Sequence, residues 1–265
     1  MKVYVWVAGI GKRMGTTSPK CLSKINGKYL IDRVLKPYRD LGFESITLLT
    51  GYGHEEIVKA FPEYDINGDY LCNPEIMFTG IPEKKSCTAQ ALRLALQEEL
   101  RKINYDDMVD EEVSFTYGDS ILDIRVDDIL HFHKSHGKIL TMTVARPKEK
   151  FGIVEISHSN SVMSFKEKPK SQNWINAGFF IADRDRLLRY LTETAFSFEE
   201  DVLPLLIEKN EVMAFKHDFY YQQVDTLKDV EEANKFFELV DQHTKIGMDR
   251  LNERLEKLRK ETCSN

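Results

Sequence analysis

The stretch WVAGIGKRMGTTSPK, residues 6–20, decides how the rest of the chain is interpreted. It joins the end of a short apolar run to the closely spaced Gly9 and Gly11, and a proline stands near its end. Gly9 and Gly11 permit backbone conformations that other residues resist, and they let N–H groups approach a ligand closely. Positive charge comes from three side chains, Lys12, Arg13 and Lys20. The loop fits a phosphate group, a targeting receptor, or a tight turn whose cations are simply solvated.

The composition indicates a soluble chain with a substantial core. Its 265 residues are 42% apolar and 30% charged, enough for one large α/β domain or two small ones. The net charge of -6, without a polybasic block, argues against a nucleic acid partner. The apolar run at residues 3–10 is far below the ~20 residues that span a membrane, and it does not resemble a signal peptide. The four cysteines lack CxxC spacing, so we expect a cytoplasmic protein without a zinc site or disulfide framework.

Short apolar strands alternate with amphipathic helices through the first half of the chain. Strands are indicated at residues 2–7, at ESITLLT, at DYLC and at EVSFTY, with helices around residues 30–41, 54–61 and 91–100. This order predicts an α/β fold with a mostly parallel sheet and right-handed crossovers. Later, FGIVEI and SVMSFKEKP flank the turn-forming SHSNS and predict a small β-hairpin. Apolar residues at helical spacing from residue 248 onward predict a C-terminal helix.

The glycine loop leaves the first strand at the carboxyl edge of the sheet, where ligands bind in open parallel sheets. Two familiar phosphate-binding motifs do not fit it. A P-loop needs Ser or Thr after Gly-Lys, and here Arg13 follows Lys12. A dinucleotide fingerprint needs glycine where Met14 stands, and the second strand ends at Thr50 without a ribose-binding acid. A nicotinamide-dependent dehydrogenase is therefore a distant alternative.

The segment AGIGKRM…SPKCLSKINGKYLI resembles the N-terminal signature of the sugar-1-phosphate nucleotidyltransferases, A-G-x-G-x-R-M/L followed by P-K and G-K-P-x-I. The matching residues are Ala8, Gly9, Gly11, Arg13, Met14, Pro19, Lys20, Gly27 and Lys28. Further along, TYGDS, FHKSHGK, FGIVEI, SFKEKPKSQNWINAGFF, FEEDVLPLL and DTLKD occur in the order expected for glucose-1-phosphate cytidylyltransferases. The resemblance implies a single Rossmann-like domain over residues 1–240, with the hairpin as an insertion and residues 241–265 as a helical extension.

The resemblance also implies how the nucleotide half works. A sugar-1-phosphate oxygen attacks the α-phosphorus of a nucleoside triphosphate and pyrophosphate leaves, so catalysis is mainly charge neutralisation and positioning. The implied catalytic residues are Arg13, Lys20, Asp119 and Asp225. Asp119 in TYGD and Asp225 in QVDT are also the implied ligands of Mg²⁺, which prefers carboxylate oxygens. The implied nucleotide-binding residues are Ala8, Gly9, Gly11, Lys12, Arg13, Lys20, Ser86, Thr88 and Gly118.

For the acceptor half, the resemblance points to two later stretches of the chain. In the family, the lysine of Glu-Lys-Pro holds the sugar phosphate, and here Glu167 and Lys168 stand in that motif. Asn176 and Gly178 match positions that line the sugar site, where Asn can bond hydroxyls and Gly admits a ring close to the backbone. Trp174 either stacks on the sugar or packs in the core. The histidines of HFHKSH fit a helix that packs inward better than a metal site.

The base and the acceptor are less strongly indicated than the reaction. Where the family cytidylyltransferases carry S-M-T-G-G-R, residues 86–91 read S-C-T-A-Q-A, which replaces both glycines and the arginine. CTP and glucose 1-phosphate are the expected substrates, and phosphocholine or another small phosphate is the alternative acceptor. A catalytically inactive relative is disfavoured because the loop cations and both aspartates are retained. A homo-oligomer is left open.

Overall fold

The structure, a computed structural model, describes residues 1–9, 11–15, 17–40, 45–61, 70–72, 87–102, 112–218 and 220–262. The strands in these ranges are β1 (Lys2–Trp6), β2 (Lys24–Ile25), β3 (Lys28–Tyr29), β4 (Ser45–Leu49), β5 (Tyr70–Cys72), β6 (Glu112–Tyr117), β7 (Ser120–Leu122), β8 (Leu140–Ala145), β9 (Ile153–Ile156), β10 (Val162–Lys166), β11 (Ile175–Asp183), β12 (Val212–His217) and β13 (Tyr221–Gln223). The helices are α1 (Leu30–Asp40), α2 (His54–Ala60), α3 (Thr88–Lys102), α4 (Val126–His136), α5 (Arg184–Leu188), α6 (Leu203–Glu208) and α7 (Leu227–Thr262).

A seven-stranded sheet forms the centre of the molecule, in the order β12–β8–β11–β6–β1–β4–β5. Strand β11 runs antiparallel to its neighbours β6 and β8, and the other neighbouring pairs in this sheet are parallel. The predicted α/β fold with a mostly parallel, mixed sheet is confirmed. The glycine loop after β1 and the Gly-Asp turn after β6 leave adjacent parallel strands at the same edge, so the topology alone brings them together.

Strand β1 is buried on both faces because its side chains alternate between two cores. Val3 and Val5 pack in a cluster with α1 and the start of α7, whereas Tyr4 and Trp6 pack in a second cluster with α3. Burial of each large apolar side chain contributes about 1.5–3 kcal/mol. The apolar run at the N-terminus is therefore an internal strand of the sheet, between β6 and β4.

The predicted hairpin is confirmed as an antiparallel pair of β9 and β10. Its turn places Asn160 at φ +63, a conformation that Asn tolerates better than most residues. The Ser157 N–H donates to the carbonyl of Ser161 and closes the turn at 2.9 Å.

Helix α7 is fastened to the main body by a polar cluster on its inner face. The buried guanidinium of Arg33 bonds the Asp241 carboxylate at 2.9 Å and lies 4.2 Å from the ring centre of Phe237. The Asn26 N–H donates to Asn234 Oδ1 at 2.7 Å. The helix begins at Leu227 and crosses residue 240 without a break. The C-terminal helix is confirmed, and the boundary between residues 240 and 241 stays a prediction. In the ranges described, no helix is both long and apolar enough to cross a lipid bilayer.

Candidate active site

The glycine loop folds back on itself between β1 and α1. A 3-10 turn at Lys12–Met14 buries Met14, and the Met14 N–H donates to the carbonyl of Gly11 at 2.9 Å. The Lys20 N–H donates to the carbonyl of Gly9 at 3.0 Å, so the end of the loop lies against its beginning. The prediction that Gly9 and Gly11 adopt backbone conformations that other residues resist is wrong, because neither has a positive φ. In this loop Gly15 has a positive φ, at +69.

The two predicted metal-binding aspartates are brought together by a short antiparallel ladder. Asp119 stands directly before β7, and Asp225 stands two residues after β13. These strands pair with Gln223 opposite Ser120, and the Val224 N–H donates to the carbonyl of Asp119 at 2.9 Å. The ladder explains how residues so distant in the chain meet at one edge of the sheet.

Lys20 occupies the centre of the site, between the two carboxylates. Its ammonium bonds Asp119 Oδ2 at 2.6 Å and also bonds Asp225 Oδ1, and the residue is only 7% exposed. Arg13 Nη1 bonds the other oxygen of Asp225 at 3.0 Å, from a side chain that is 76% exposed. All four residues predicted to be catalytic therefore belong to one cluster. Their catalytic roles stay predictions.

A cavity of about 380 Å³ opens over this cluster, within the usual size range of small-ligand sites. It is lined by Gly9, Lys12, Arg13, Lys20, Asp119, Gln223 and Asp225. Three of the lining residues are cations and two are carboxylates, so the cavity suits an anionic ligand that arrives with a cation.

The charges in the cluster change the ionisation of its neighbours. Burial raises the pKa of the Asp225 carboxyl, but the hydrogen bond and charge of Lys20, followed by the charge of Arg13, outweigh burial and hold this pKa below its usual value. Burial, together with the charges of Asp119 and Asp225, raises the pKa of Tyr221 to about 12. Asp225 is therefore kept ionised beside the protonated phenol of Tyr221.

The segment that carries Asp225 is held by the first turn of α7. One carboxylate oxygen of Asp229 accepts from the N–H groups of Asp225 and Thr226 at 2.9 and 2.7 Å. The Asp229 N–H in turn donates to the hydroxyl of Thr226 at 3.3 Å, a reciprocal arrangement typical of a helix N-terminus. The Asp225 backbone is thus restrained from both sides, by the ladder and by the helix.

The chemistry of the carboxylate pair fits a hard divalent cation. Asp119 and Asp225 already share one cation, the Lys20 ammonium, so their oxygens converge on a common point. Carboxylate oxygens are the ligands that Mg²⁺ prefers, and it often takes only one or two from the protein. Within the described ranges there is no group of three or more His, Cys, Asp and Glu side chains that could hold a metal. Water and phosphate oxygens would therefore complete the shell.

Two predicted acceptor residues lie beside Tyr117, at the end of β6. Asn176 Nδ2 donates to the Tyr117 hydroxyl at 3.3 Å, and Asn176 Oδ1 accepts from the Gly178 N–H at 2.9 Å. Gly178 has φ +88, and a Cβ there would lie 2.5 Å from Tyr117 Cδ2. Glycine is therefore required at this position by the backbone and by the ring below it.

None of the predicted acceptor residues, Asn176 and Gly178 included, is among those that line the cavity. Lys168 is half exposed at φ +42, and its ammonium lies 3.7 Å from the carboxylate of the adjacent Glu167. Trp174 is 37% exposed, so it is not a core residue, and the guanidinium of Arg146 lies 4.8 Å from its ring centre. This part of the predicted sugar site is open in the structure.

Of the remaining predicted nucleotide-binding residues, those that the structure describes are not among the residues that line the cavity. Ala8 is exposed after β1, and Ser86 lies outside the described residues. The Thr88 hydroxyl donates to Glu199 Oε2 at 2.8 Å. The Gly118 N–H donates to the carbonyl of Trp6 at 2.8 Å, and a Cβ on Gly118 would lie 2.6 Å from Val7. Close packing of β6 on β1 therefore explains this glycine.

The histidines of α4 have a structural environment, as expected. The rings of His133 and His136 both bond the hydroxyl of Thr141, at 2.9 and 2.7 Å. Burial, followed by the charge of His136, lowers the pKa of His133 to about 4. His133 is therefore neutral at pH 7 and packs α4 onto the sheet.

Three residues of the site were missed by the sequence analysis: Tyr117, Glu199 and Gln223. Glu199 lies in a π-helical turn at Phe198–Val202, and Gln223 ends β13. Both belong to stretches whose local pattern carries no chemistry. Their roles become visible only in the folded chain, where Gln223 lines the cavity and Glu199 bonds Tyr117 and Thr88.

Comparison with known proteins agrees with this geometry. Residues 7–239 match the nucleotidyl transferase family. The glucose-1-phosphate cytidylyltransferase of Salmonella typhimurium is 28% identical over 86% of this chain and 93% of its own, and the probable glucose-1-phosphate cytidylyltransferase of Bacillus subtilis is 27% identical over 89% and 96%. HddC of Yersinia pseudotuberculosis, solved in complex with GMP-PN, has a TM-score of 0.62 at 20% identity, over 89% of this chain and 99% of that one.

Proposed function

The chain belongs to the nucleotidyl transferase family and is a sugar-1-phosphate nucleotidyltransferase, and we propose that it transfers CMP from CTP to glucose 1-phosphate, with release of pyrophosphate. The observation that carries the proposal is the buried Lys20 ammonium, bonded to Asp119 and Asp225 beneath a cationic loop. Both reactants are anions, so a site for this reaction must neutralise negative charge and hold two phosphates in line.

The loop residues supply the positive charge. Arg13 can bond two phosphate oxygens at once, and its exposure leaves it free to turn toward a triphosphate. Lys20 lies deeper, where water is largely excluded and a charge acts more strongly on the reacting phosphate. We assign Arg13 and Lys20 to the triphosphate, and to the negative charge that increases on it as the bond to pyrophosphate breaks.

The two carboxylates of the site supply ligands for a metal ion. We propose that Asp119 and Asp225 hold Mg²⁺, which as a Lewis acid withdraws charge from the phosphate oxygens. Asp225 is kept ionised by Lys20 and Arg13, so it is ready to bind a cation at neutral pH. The Asp229 carboxylate keeps the Asp225 backbone in place while the Asp225 carboxylate exchanges its ion pairs with Lys20 and Arg13 for the metal ion.

The choice of CTP and glucose 1-phosphate is supported by the relatives that carry this activity in their names. We assign the stretch from KEKP to NAGFF, which resembles the corresponding part of the cytidylyltransferases, to the acceptor side, and the hydrogen bond from Asn176 to Tyr117 supports this assignment. Guanylyl transfer is carried by other relatives, such as the mannose-1-phosphate guanyltransferase of Saccharomyces cerevisiae, 27% identical over 86% of this chain and 62% of its own. The base is therefore the point that an assay must decide.

A panel of substrates tests the proposal. CTP, UTP, GTP and dTTP are each combined with glucose 1-phosphate, mannose 1-phosphate and phosphocholine, with and without Mg²⁺, and pyrophosphate release is measured. We expect the fastest release with CTP, glucose 1-phosphate and Mg²⁺. Faster pyrophosphate release with GTP would overturn the assignment of CTP as the nucleotide. Faster release with phosphocholine would overturn the assignment of glucose 1-phosphate as the acceptor. A protein that releases pyrophosphate equally well after chelation would contradict the metal assignment.

A further inference from the structure

A continuous chain of hydrogen bonds links the start of α3 to β11 by way of Tyr117, at the end of β6. The Phe198 N–H donates to the Thr88 hydroxyl at 2.8 Å, and the Thr88 hydroxyl donates to Glu199 Oε2 at 2.8 Å. The Tyr117 hydroxyl donates to the other oxygen of Glu199. The Asn176 amide then donates to the Tyr117 oxygen at 3.3 Å.

The direction of these hydrogen bonds is determined by the chemistry of the groups. A carboxylate only accepts, so the single hydrogen of Tyr117 must point toward Glu199. The Tyr117 oxygen can then only accept from Asn176, and the Gly178 N–H holds the other end of the same amide at 2.9 Å. The Asn176 amide therefore has one orientation, with one N–H and one lone pair left for a ligand.

The ring of Tyr117 is held as firmly as its hydroxyl. It stacks on Trp6 with ring centres 5.1 Å apart, and it fills the space below Gly178 where a Cβ would lie 2.5 Å away. Burial, together with the charge and hydrogen bond of Glu199, raises the pKa of Tyr117, which keeps the hydroxyl protonated as a donor. The π-helical turn at Phe198–Val202 places Glu199 within reach, a deviation of a kind often found at functional sites.

We propose that Glu199 and Tyr117 are positioning residues of the acceptor site, which fix the Asn176 amide in the orientation that bonds the sugar. The inference rests on the proposed function, because it takes Asn176 as the residue that contacts the acceptor. The Glu199 carboxylate orients the Tyr117 hydroxyl, and the Tyr117 hydroxyl orients the Asn176 amide. Loss of either group leaves the Asn176 amide held at its oxygen only, by the Gly178 N–H, so the bound sugar must fix the position of the Asn176 NH2 group.

The test uses Tyr117→Phe, which removes the hydroxyl and keeps the ring below Gly178. We expect the KM for glucose 1-phosphate to rise about 3- to 10-fold, the effect of one lost hydrogen bond, while the KM for CTP stays within about twofold. Glu199→Gln keeps an oxygen that accepts from Tyr117 and should leave the acceptor KM near the wild-type value. Glu199→Leu removes the carboxylate that accepts the hydrogen bond from Tyr117. It should raise the KM for glucose 1-phosphate as much as Tyr117→Phe does.

Tyr38→Phe is the matched control, since it removes the hydroxyl of a tyrosine on α1 that is buried in the hydrophobic core. It should lower the melting temperature without changing either KM. The inference would be overturned if Tyr117→Phe left the KM for glucose 1-phosphate unchanged, or if it raised the KM for CTP by the same factor. If Glu199→Leu does not fold, Tyr117→Phe and Glu199→Gln still decide the inference. A wild-type protein that transfers nothing to any acceptor would instead overturn the proposed function, and the inference with it.

Discussion

The two halves of the site hold their lysines in opposite ways. In the nucleotide half, Lys20 is 7% exposed and its ammonium bonds two carboxylates from different parts of the chain. In the acceptor half, Lys168 is half exposed, and its ammonium lies 3.7 Å from its own neighbour, Glu167. A buried cation must be paired, whereas an exposed lysine is stable in many orientations.

This difference indicates how the two substrates are bound. The charges around Lys20 are in place before a ligand arrives, so the nucleotide half is preorganised. Asn176 and Gly178 are held by a hydrogen bond to each other, whereas Lys168, in its proposed role, would have to move to reach the acceptor phosphate. We therefore expect changes in the nucleotide half to lower the rate, and changes in the acceptor half to raise the KM of the acceptor.

The largest effect is expected from the carboxylate pair. Asp119→Asn and Asp225→Asn keep the size of each side chain and remove a negative ligand for the metal, so kcat should fall by about 100-fold or more in a pyrophosphate release assay. Asp123→Asn is the control, because Asp123 is exposed and lies outside the cavity. Full Mg²⁺-dependent activity in either of the first two variants would remove the pair from the catalytic centre.

A smaller effect, limited to the acceptor half, is expected from Gly178→Ala. The added Cβ would lie 2.5 Å from Tyr117 Cδ2 in a backbone at φ +88, so the ring below must shift. Gly137→Ala shares the positive φ, at +63, but its Cβ would meet nothing within 4 Å. Both variants should lose about 1–2 kcal/mol of stability from the backbone, and Gly178→Ala should lose a further 1–3 kcal/mol from overpacking.

The two glycine variants are compared by thermal unfolding and by the KM for the acceptor. Only Gly178→Ala should raise that KM, because only Gly178 contacts the ring that supports Asn176. Equal melting temperatures for the two variants would show that Tyr117 does not fill the space below Gly178.

The smallest effect concerns Arg13 and the ionisation of Asp225. The folded pKa of Asp225 is lowered, so its ion pairs contribute stability above the unfolded carboxyl pKa of about 4, and this stability is lost as the pH falls through the folded pKa. Arg13→Ala should lower the melting temperature by up to about 3 °C at pH 7, and the difference should disappear in acid. Arg101→Ala is the control, because the Arg101–Glu98 pair has the same exposures, 76% and 28%, as the Arg13–Asp225 pair. A difference that persists in acid would contradict the assignment to Asp225.

Much of the fold could be predicted from local patterns. The alternation of strands and helices gave the parallel sheet, because a strand buried on both faces shows an unbroken apolar run such as VYVW before Val7. The hairpin around SHSNS was predicted from a similar pattern, and so was the C-terminal helix, which was expected from residue 248 onward and begins at Leu227. The resemblance to the family pointed to Asp119, and the parallel topology, which places the ends of β1 and β6 side by side, explains why Asp119 lies next to the glycine loop.

Other features depend on contacts between distant parts of the chain. The ladder of β7 and β13, which brings Asp225 to Asp119, consists of two three-residue strands with no distinctive pattern. The antiparallel direction of β11 within the sheet also leaves no mark in its apolar sequence. Glu199 reaches Tyr117 only because a π-helical turn lies against α3. Local periodicity carries no information on such pairings.

The central claim, a preorganised nucleotide half beside an open acceptor half, is tested most directly by one pair of lysine variants. Lys20→Met and Lys168→Met make the same change in the two halves, and kcat and both KM values are measured for CTP and glucose 1-phosphate. We expect Lys20→Met to lower kcat/KM for CTP by about 100-fold or more, the usual effect of removing a group that stabilises developing charge. We expect Lys168→Met to raise the KM for glucose 1-phosphate and leave the KM for CTP unchanged. The reverse pattern, or the same pattern in both variants, would contradict the division of the site into these two halves.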